Sequence, residues 1–185
     1  NDEEIVVSDD VSNDTEESTE NEIVKSESVQ ADEVGVASGT CGTNLTWELN
    51  DSGVLTISGT GDMQDFSNYK DSGWYKDRKS IETIIVSEGI TSLGDYAFYG
   101  CSNVKEVKLP STLNDLGRIS FAQCSSLKKI DIPDLVTVIP YAAFAECTSL
   151  NEVNAKNIEA IHDYAFQMIK TESFTIGKNI TNISY

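Results

Sequence analysis

Apolar positions recur with a long, fixed period through most of this chain. From Ile81 onward the sequence aligns with itself in blocks of 23 residues. Ile81–Val86 falls over Val104–Leu109, then over Leu127–Ile132, then over Leu150–Ala155. Phe98, Phe121 and Phe144 form one column, and Phe166 joins it after a one-residue deletion. Cys101, Cys124 and Cys147 form a second column. Ile90, Leu113, Val136 and Ile158 form a third, and Leu93, Leu116, Ile139 and Ile161 a fourth. A fifth block starts near Thr171, with Phe174, Ile176, Ile180 and Ile183 in register, and stops at Tyr185 before its Ala-Phe position. Several apolar columns at one period mean that each repeat covers its neighbour and that one core runs down the stack. Further repeats or a C-terminal cap are therefore expected beyond Tyr185.

Within a repeat the finer pattern predicts local structure. Ile84 and Val86 point inward and Thr83 and Ile85 outward, the alternation of a short strand. Pro110 and Pro133 end that strand in two repeats, and Ile90–Leu93 predicts a second extended segment. Asp95-Tyr96-Ala97-Phe98 predicts one tight turn of helix or 3-10 helix that buries the Phe. Before the repeats, Leu45, Trp47 and Leu49 alternate with Thr46 and Glu48, and Val54–Ser58 returns as a second strand. Asn50-Asp51-Ser52-Gly53 between them is turn chemistry, so residues 44–59 predict a β-hairpin.

Blocks such as ITSLGDYAFYGCSNVKEVKLP and SSLKKIDIPDLVTVIPYAAFAECTSL resemble the BspA-type leucine-rich repeats of bacterial surface proteins. The stretch CGTNLTWELNDSGVLTISGTGDM is similar to the segment that often precedes such repeats. The resemblance covers about residues 40–185. It implies a right-handed, β-rich leucine-rich-repeat solenoid with a parallel sheet and short helical or 3-10 turns, preceded by a β-hairpin cap. It also implies export to the bacterial surface or the medium, and several members of the family are adhesins that bind host proteins. Ala155, where other repeats carry Val86, Leu109 or Ile132, is expected to leave a packing gap. The deletion before Phe166 is expected to kink the fourth repeat.

Charge divides the chain. Residues 1–40 hold thirteen acidic residues and one lysine, a net of −12, while the whole chain carries −18. Residues 1–39 therefore read as a disordered acidic tail or linker that buries too little apolar surface to order, or as an acidic interaction tail. Residues 40–80 read as the N-terminal cap and 81–185 as about 4.5 repeats. A negative surface disfavours nucleic acid, and no apolar run is long enough to span a membrane.

Candidate chemistry is sparse. Cys101, Cys124 and Cys147 at one repeat spacing read as small buried thiols, since a row along a stack does not converge on a zinc ion. Cys41 has no evident partner. His162 shares its column with Gly94, Gly117 and Pro140, a turn position, and no nucleophile accompanies it. Asp62, Asp65 and Asp71 lack calcium-loop spacing. No catalytic, cofactor-binding or metal-binding residues are assigned, and no cofactor is expected. The outward strand positions offer two polar ladders, Glu106–Lys129–Glu152 and Lys108–Asp131–Asn154, which read either as cross-strand charge pairs or as a recognition strip. Phe66, Tyr69, Trp74 and Tyr75 either seal the open end of the stack or form a platform for sugar, so Trp74 and Tyr75 join the candidate partner-binding residues. The expectation is a non-enzymatic extracellular binding or adhesion module for a protein or glycan partner. The alternative is a spacer or targeting module of a larger secreted enzyme whose catalytic domain lies elsewhere.

Overall fold

The computed structural model describes residues 37–169 and 181–183. The acidic tail up to residue 36 and most of the fifth block, including Phe174, Ile176, Ile180 and Tyr185, lie outside the described residues. Thirteen short strands and one 3-10 helix, Tyr75–Asp77, make up the regular structure among the described residues.

The alternation at residues 44–59 forms an antiparallel pair. β2 (Leu45–Leu49) and β3 (Val54–Gly59) pair with Trp47 opposite Ile57. The Asn50 side chain accepts the Ser52 and Val54 N–H groups, each at 3.0 Å, and fixes the turn. Gly53 takes φ 73°, and a side chain there would collide with the Ser80 carbonyl. β1 (Ala37–Gly42) adds to the other edge of β2.

From β3 onward the pairing is parallel. β3, β5 (Thr83–Val86) and β7 (Glu106–Lys108) continue one sheet. β9 (Lys129–Asp131) and β11 (Glu152–Asn154) pair in a separate ribbon. A second wall stacks β4 (Gly61–Asp62), β6 (Ile90–Leu93) and β8 (Asp115–Leu116). It resumes as β10 (Val138–Ile139), β12 (Ala160–Ile161) and β13 (Asn182–Ile183). Thr83 lies opposite Glu106 and Lys129 opposite Glu152, so the sequence period becomes the strand register. After the deletion the partners step by one residue fewer, with Val138 opposite Ala160. Pro140 helps explain the interruption between β8 and β10. Its column donates a backbone bond in neighbouring repeats, Gly117 N to Leu93 O and His162 N to Ile139 O, and proline has no N–H to give.

The expected helical turn is not a helix. Ala97, Tyr99 and Cys101 N–H groups bond back to Gly94, Tyr96 and Phe98 carbonyls. The intervening N–H groups of Tyr96, Phe98 and Gly100 bond forward to Arg118, Ser120 and Ala122 carbonyls of the next repeat. This alternation recurs at residues 119–124 and 142–147. It requires left-handed backbone twice per repeat, at Tyr96, Ile119, Ala142 and Tyr164, and again at Gly100, Gln123, Glu146 and Met168. A helix would use every N–H locally. Here half of them form a third inter-repeat ladder.

The core follows the columns. Ile81, Ile84, Ile90, Phe98, Cys101 and most of their equivalents are buried in successive repeats, with Val107 and Phe166 partly buried. The Phe rings stack: Phe98–Phe121 at 5.2 Å, Phe121–Phe144 at 5.4 Å and Phe144–Phe166 at 5.5 Å between centroids. Residues 54–74 supply an irregular first layer, with Leu55 and Ile57 beside Ile84 and Val86, Gly61 beside Ile90, and Trp74 on Phe98. Ala155 is buried in its column. All four cysteines are free and buried.

Candidate functional site

Six of the sequence-predicted residues lie on β7, β9 and β11, and the structure divides them into two groups. Lys129 on β9 reaches Glu152 on β11 at 2.8 Å and Asp131 on its own strand at 3.6 Å. Asn154 donates through Nδ2 to Asp131 at 2.7 Å and to Glu152 at 2.9 Å. These four side chains form one network. The Lys129 hydrogen bond, then that of Asn154, holds the Glu152 carboxyl below the usual carboxylate range. The same bond to Glu152, with help from the Asp131 charge, raises the Lys129 ammonium.

Glu106 and Lys108 stand apart. Lys108 pairs along its own strand with Glu106 at 3.2 Å rather than across to Asp131, and Lys129 turns to Glu152 rather than to Glu106. The expected cross-strand ladder therefore fails between β7 and β9. The backbone breaks at the same place: β5 pairs with β7 and β9 with β11, but β7 and β9 belong to separate sheets.

A groove of about 460 Å³ follows this break, lined by Glu106, Val107, Lys108, Leu109, Lys129 and Asp131. Val107 and Leu109 are only partly buried, while their equivalents Ile84 and Val86, Ile130 and Ile132, and Val153 and Ala155 are all buried. An apolar floor is thus open to solvent within a rim of mixed charge. Sequence reasoning found the rim residues from their outward alternation. It missed Val107 and Leu109, which occupy core columns.

The two aromatic candidates separate. Trp74 is 1% exposed, stacked on Phe98 and bonded through Nε1 to the Ala97 carbonyl at 2.9 Å. It is a core residue, and the expectation of a surface contact is corrected on that ground. Phe66 is buried beside it, ring edge to Trp74. Tyr75 stays half-buried under the Arg78 guanidinium, 3.9 Å from the ring centroid.

The remaining candidates are occupied within the fold. Asp62 accepts from Thr91 Oγ1, Asp65 from the Asp95 N–H, and Asp71 from Asn68. His162 is exposed at its turn. Cys124 and Cys147 donate their thiols to the Phe98 and Phe121 carbonyls. Burial pushes Cys101 and Cys147 up to about 12 and Cys41 up to about 11. Such thiols are poor nucleophiles, because the thiolate is the reactive form.

Stacked parallel strands, apolar columns and nearly helix-free turns define a leucine-rich-repeat type of protein. The model of the BspA type leucine rich repeat region matches residues 70–185 in six copies, and the chain belongs to that family. It is similar to the crystal structure of a leucine-rich repeat protein from Eubacterium ventriosum. That match has 26% identity and a TM-score of 0.63, over 78% of this chain and 45% of the other. A leucine rich cell surface protein from Faecalibacterium prausnitzii has the same type of fold, with 19% identity and a TM-score of 0.57, over 80% of this chain and 50% of the other. The chain thus spans about half the length of these two proteins. No curated protein matches it. Among the described residues, no helix is long and apolar enough to cross a membrane.

Proposed function

We propose that this chain is a non-enzymatic recognition module at the bacterial surface, and that it holds a protein partner along the groove between β7 and β9. The observation that carries this reading is the open apolar pair Val107 and Leu109 inside a rim of Lys108, Glu106, Lys129 and Asp131. An apolar centre with a polar rim is the anatomy of a protein interface. The rim ion pairs are exposed and each is worth little, about 0–1 kcal/mol, so they exchange partners at small cost. Glu152 and Asn154 extend the strip by holding Lys129 and Asp131 in place.

The rest of the chain serves this surface as scaffold. Parallel strands joined by crossovers are right-handed in nearly all proteins, so the repeats are read as a right-handed solenoid of 23-residue coils. The sheet of β1, β2 and β3 with Trp74 is read as its N-terminal cap, since a terminal repeat needs one. Family membership supports an extracellular place.

A binding screen of the chain against extracellular-matrix proteins tests the proposal, beside a variant with Lys108, Lys129, Asp131 and Glu152 all replaced by Ser. Saturable binding that the variant loses is the expected result. Binding that survives in the variant removes the strip from the reading. Binding to no protein favours a spacer or targeting role.

A further inference from the structure

A second groove, of about 530 Å³, runs along the turn ladder rather than the strands. Tyr69, Tyr75 and Tyr99 flank one part of it, and Gln123, Glu146 and Ser125 another. The three tyrosines form one aromatic group, with Tyr69 at 5.6 Å from Tyr75 and 4.9 Å from Tyr99 between centroids. All three are half-buried, so each ring is anchored and still presents surface. Arg78 holds Tyr75 from one side, its Nη1 donating to the Tyr75 carbonyl at 2.8 Å.

The floor has a repeat-level cause. Gly100, Gln123 and Glu146 occupy one left-handed column. Gln123 and Glu146 carry polar side chains there, joined by a bond from Gln123 Nε2 to Glu146 Oε2 at 3.2 Å. Gly100 carries none, and a Cβ at that position would come 3.3 Å from Arg78 Nε. Its bareness opens the space between the tyrosines and the polar pair. Ser102, Ser125 and Thr148 add one hydroxyl per repeat along the same groove.

We propose that this groove binds a neutral oligosaccharide chain. Pyranose rings have apolar C–H faces that lie against the electron-rich faces of aromatic rings. Their hydroxyls both donate and accept, which suits an amide and a carboxylate side by side. Stacked strands sit about 4.8 Å apart, close to the advance of one sugar unit along an extended chain, so one hydroxyl row per repeat meets one unit. The groove's charged lining, Glu146 against Arg78 and Lys79, is close to balanced, which gives a neutral sugar no electrostatic penalty, and heparin fragments test the anionic alternative. This site is independent of the protein-binding strip.

The test is calorimetry of the full chain with mannan, glucan, xylan and chitin hexasaccharides, and with heparin fragments as the anionic control. Saturable binding of at least one neutral hexasaccharide is expected. Tyr99→Ala and Gln123→Ala should each weaken it about tenfold, the size of a typical interface anchor. The strip variant with four serines should bind sugar unchanged. Gln123→Ala and Glu146→Gln alter half-exposed side chains, so they keep the test open if Tyr99→Ala unfolds. Binding by heparin alone, binding by no hexasaccharide, or unchanged affinity in Gln123→Ala would each overturn the proposal.

Discussion

The Trp74 indole lies on the Phe98 ring at 5.8 Å between centroids and 26° between planes, heading the column of phenylalanines that runs down the repeats. Its Nε1 also donates to the Ala97 carbonyl beside Phe98. One residue outside the regular repeats thus closes both the apolar and the polar surface of the first Phe layer. Trp74→Ala should cost about 3–5 kcal/mol, the range for removing a buried aromatic. Trp74→Phe keeps a ring on Phe98 and loses the bond, so the penalty from that bond should be about 1–3 kcal/mol. Urea unfolding of both variants checks the order. Equal stability of wild type and Trp74→Ala would remove Trp74 from the core.

Ser120 tests the same layer from inside. It takes the column position held by Ala97, Ala143 and Ala165 and is 0% exposed. Its hydroxyl has no hydrogen-bond partner. A buried unpaired hydroxyl costs about 1–3 kcal/mol, while its neighbours show that a methyl fits. Ser120→Ala should therefore raise stability by about 1 kcal/mol, read as a higher urea midpoint with unchanged slope.

The repeat columns were legible because a stack buries the same positions in each layer, and burial requires apolar residues there. The strand register followed from the period for the same reason. The turn ladder was hidden. Asp95-Tyr96-Ala97-Phe98 reads as helical because nothing marks Tyr96 or Ile119 as left-handed, a conformation that β-branched side chains rarely adopt. The break between β7 and β9 was hidden too. Loss of pairing does not change which side chains alternate outward, so Glu106 and Lys108 looked like any other rungs. For the candidate strip, the polar rim was readable and the apolar floor was not. Val107 and Leu109 carry the same residue types as their buried equivalents.

The left-handed column makes a paired prediction about alanine. Ala142 has φ 51°, and Ala143 beside it is buried in the column next to Phe144. Ala142→Gly relieves a left-handed penalty of about 1–2 kcal/mol and loses about 0.5–1 kcal/mol of chain entropy, so it should be neutral or slightly stabilising. Ala143→Gly has no such relief and should destabilise by at least the entropic amount. Thermal unfolding of the two variants decides it. Equal losses at both sites would contradict the left-handed backbone at Ala142.

The Lys129–Glu152 pair predicts a titration. Glu152 is held below the usual carboxylate range, first by the Lys129 bond. A lowered folded value means that the pair's contribution is present above the unfolded glutamate pKa and disappears as pH falls through the folded one. Both side chains are half-exposed, so the effect on stability is small and a residue-level probe is needed. Carbon NMR of the Glu152 carboxylate should give a midpoint below an ordinary glutamate, and Lys129→Met should move it upward. An unmoved midpoint would dissolve the network around Lys129.

The thiol column predicts the opposite limb. Burial raises Cys101 and Cys147 to about 12, Cys41 to about 11, and Cys124 well above its ordinary value. In the unfolded chain thiols ionise near about 8.5. A raised folded value means that these groups leave stability untouched below that point and erode it as pH rises toward 11 and 12. The thiol bonds of Cys124 and Cys147 to the Phe98 and Phe121 carbonyls strengthen the argument, because a thiolate has no proton to donate there. Thiolate absorbance should therefore appear together with loss of structure on an alkaline scan, not before it. A Cys101→Ala, Cys124→Ala, Cys147→Ala triple variant should begin less stable at neutral pH and lose less between pH 9 and 11. Thiolate formation in the intact fold at pH 9 would mean that the column is open to solvent.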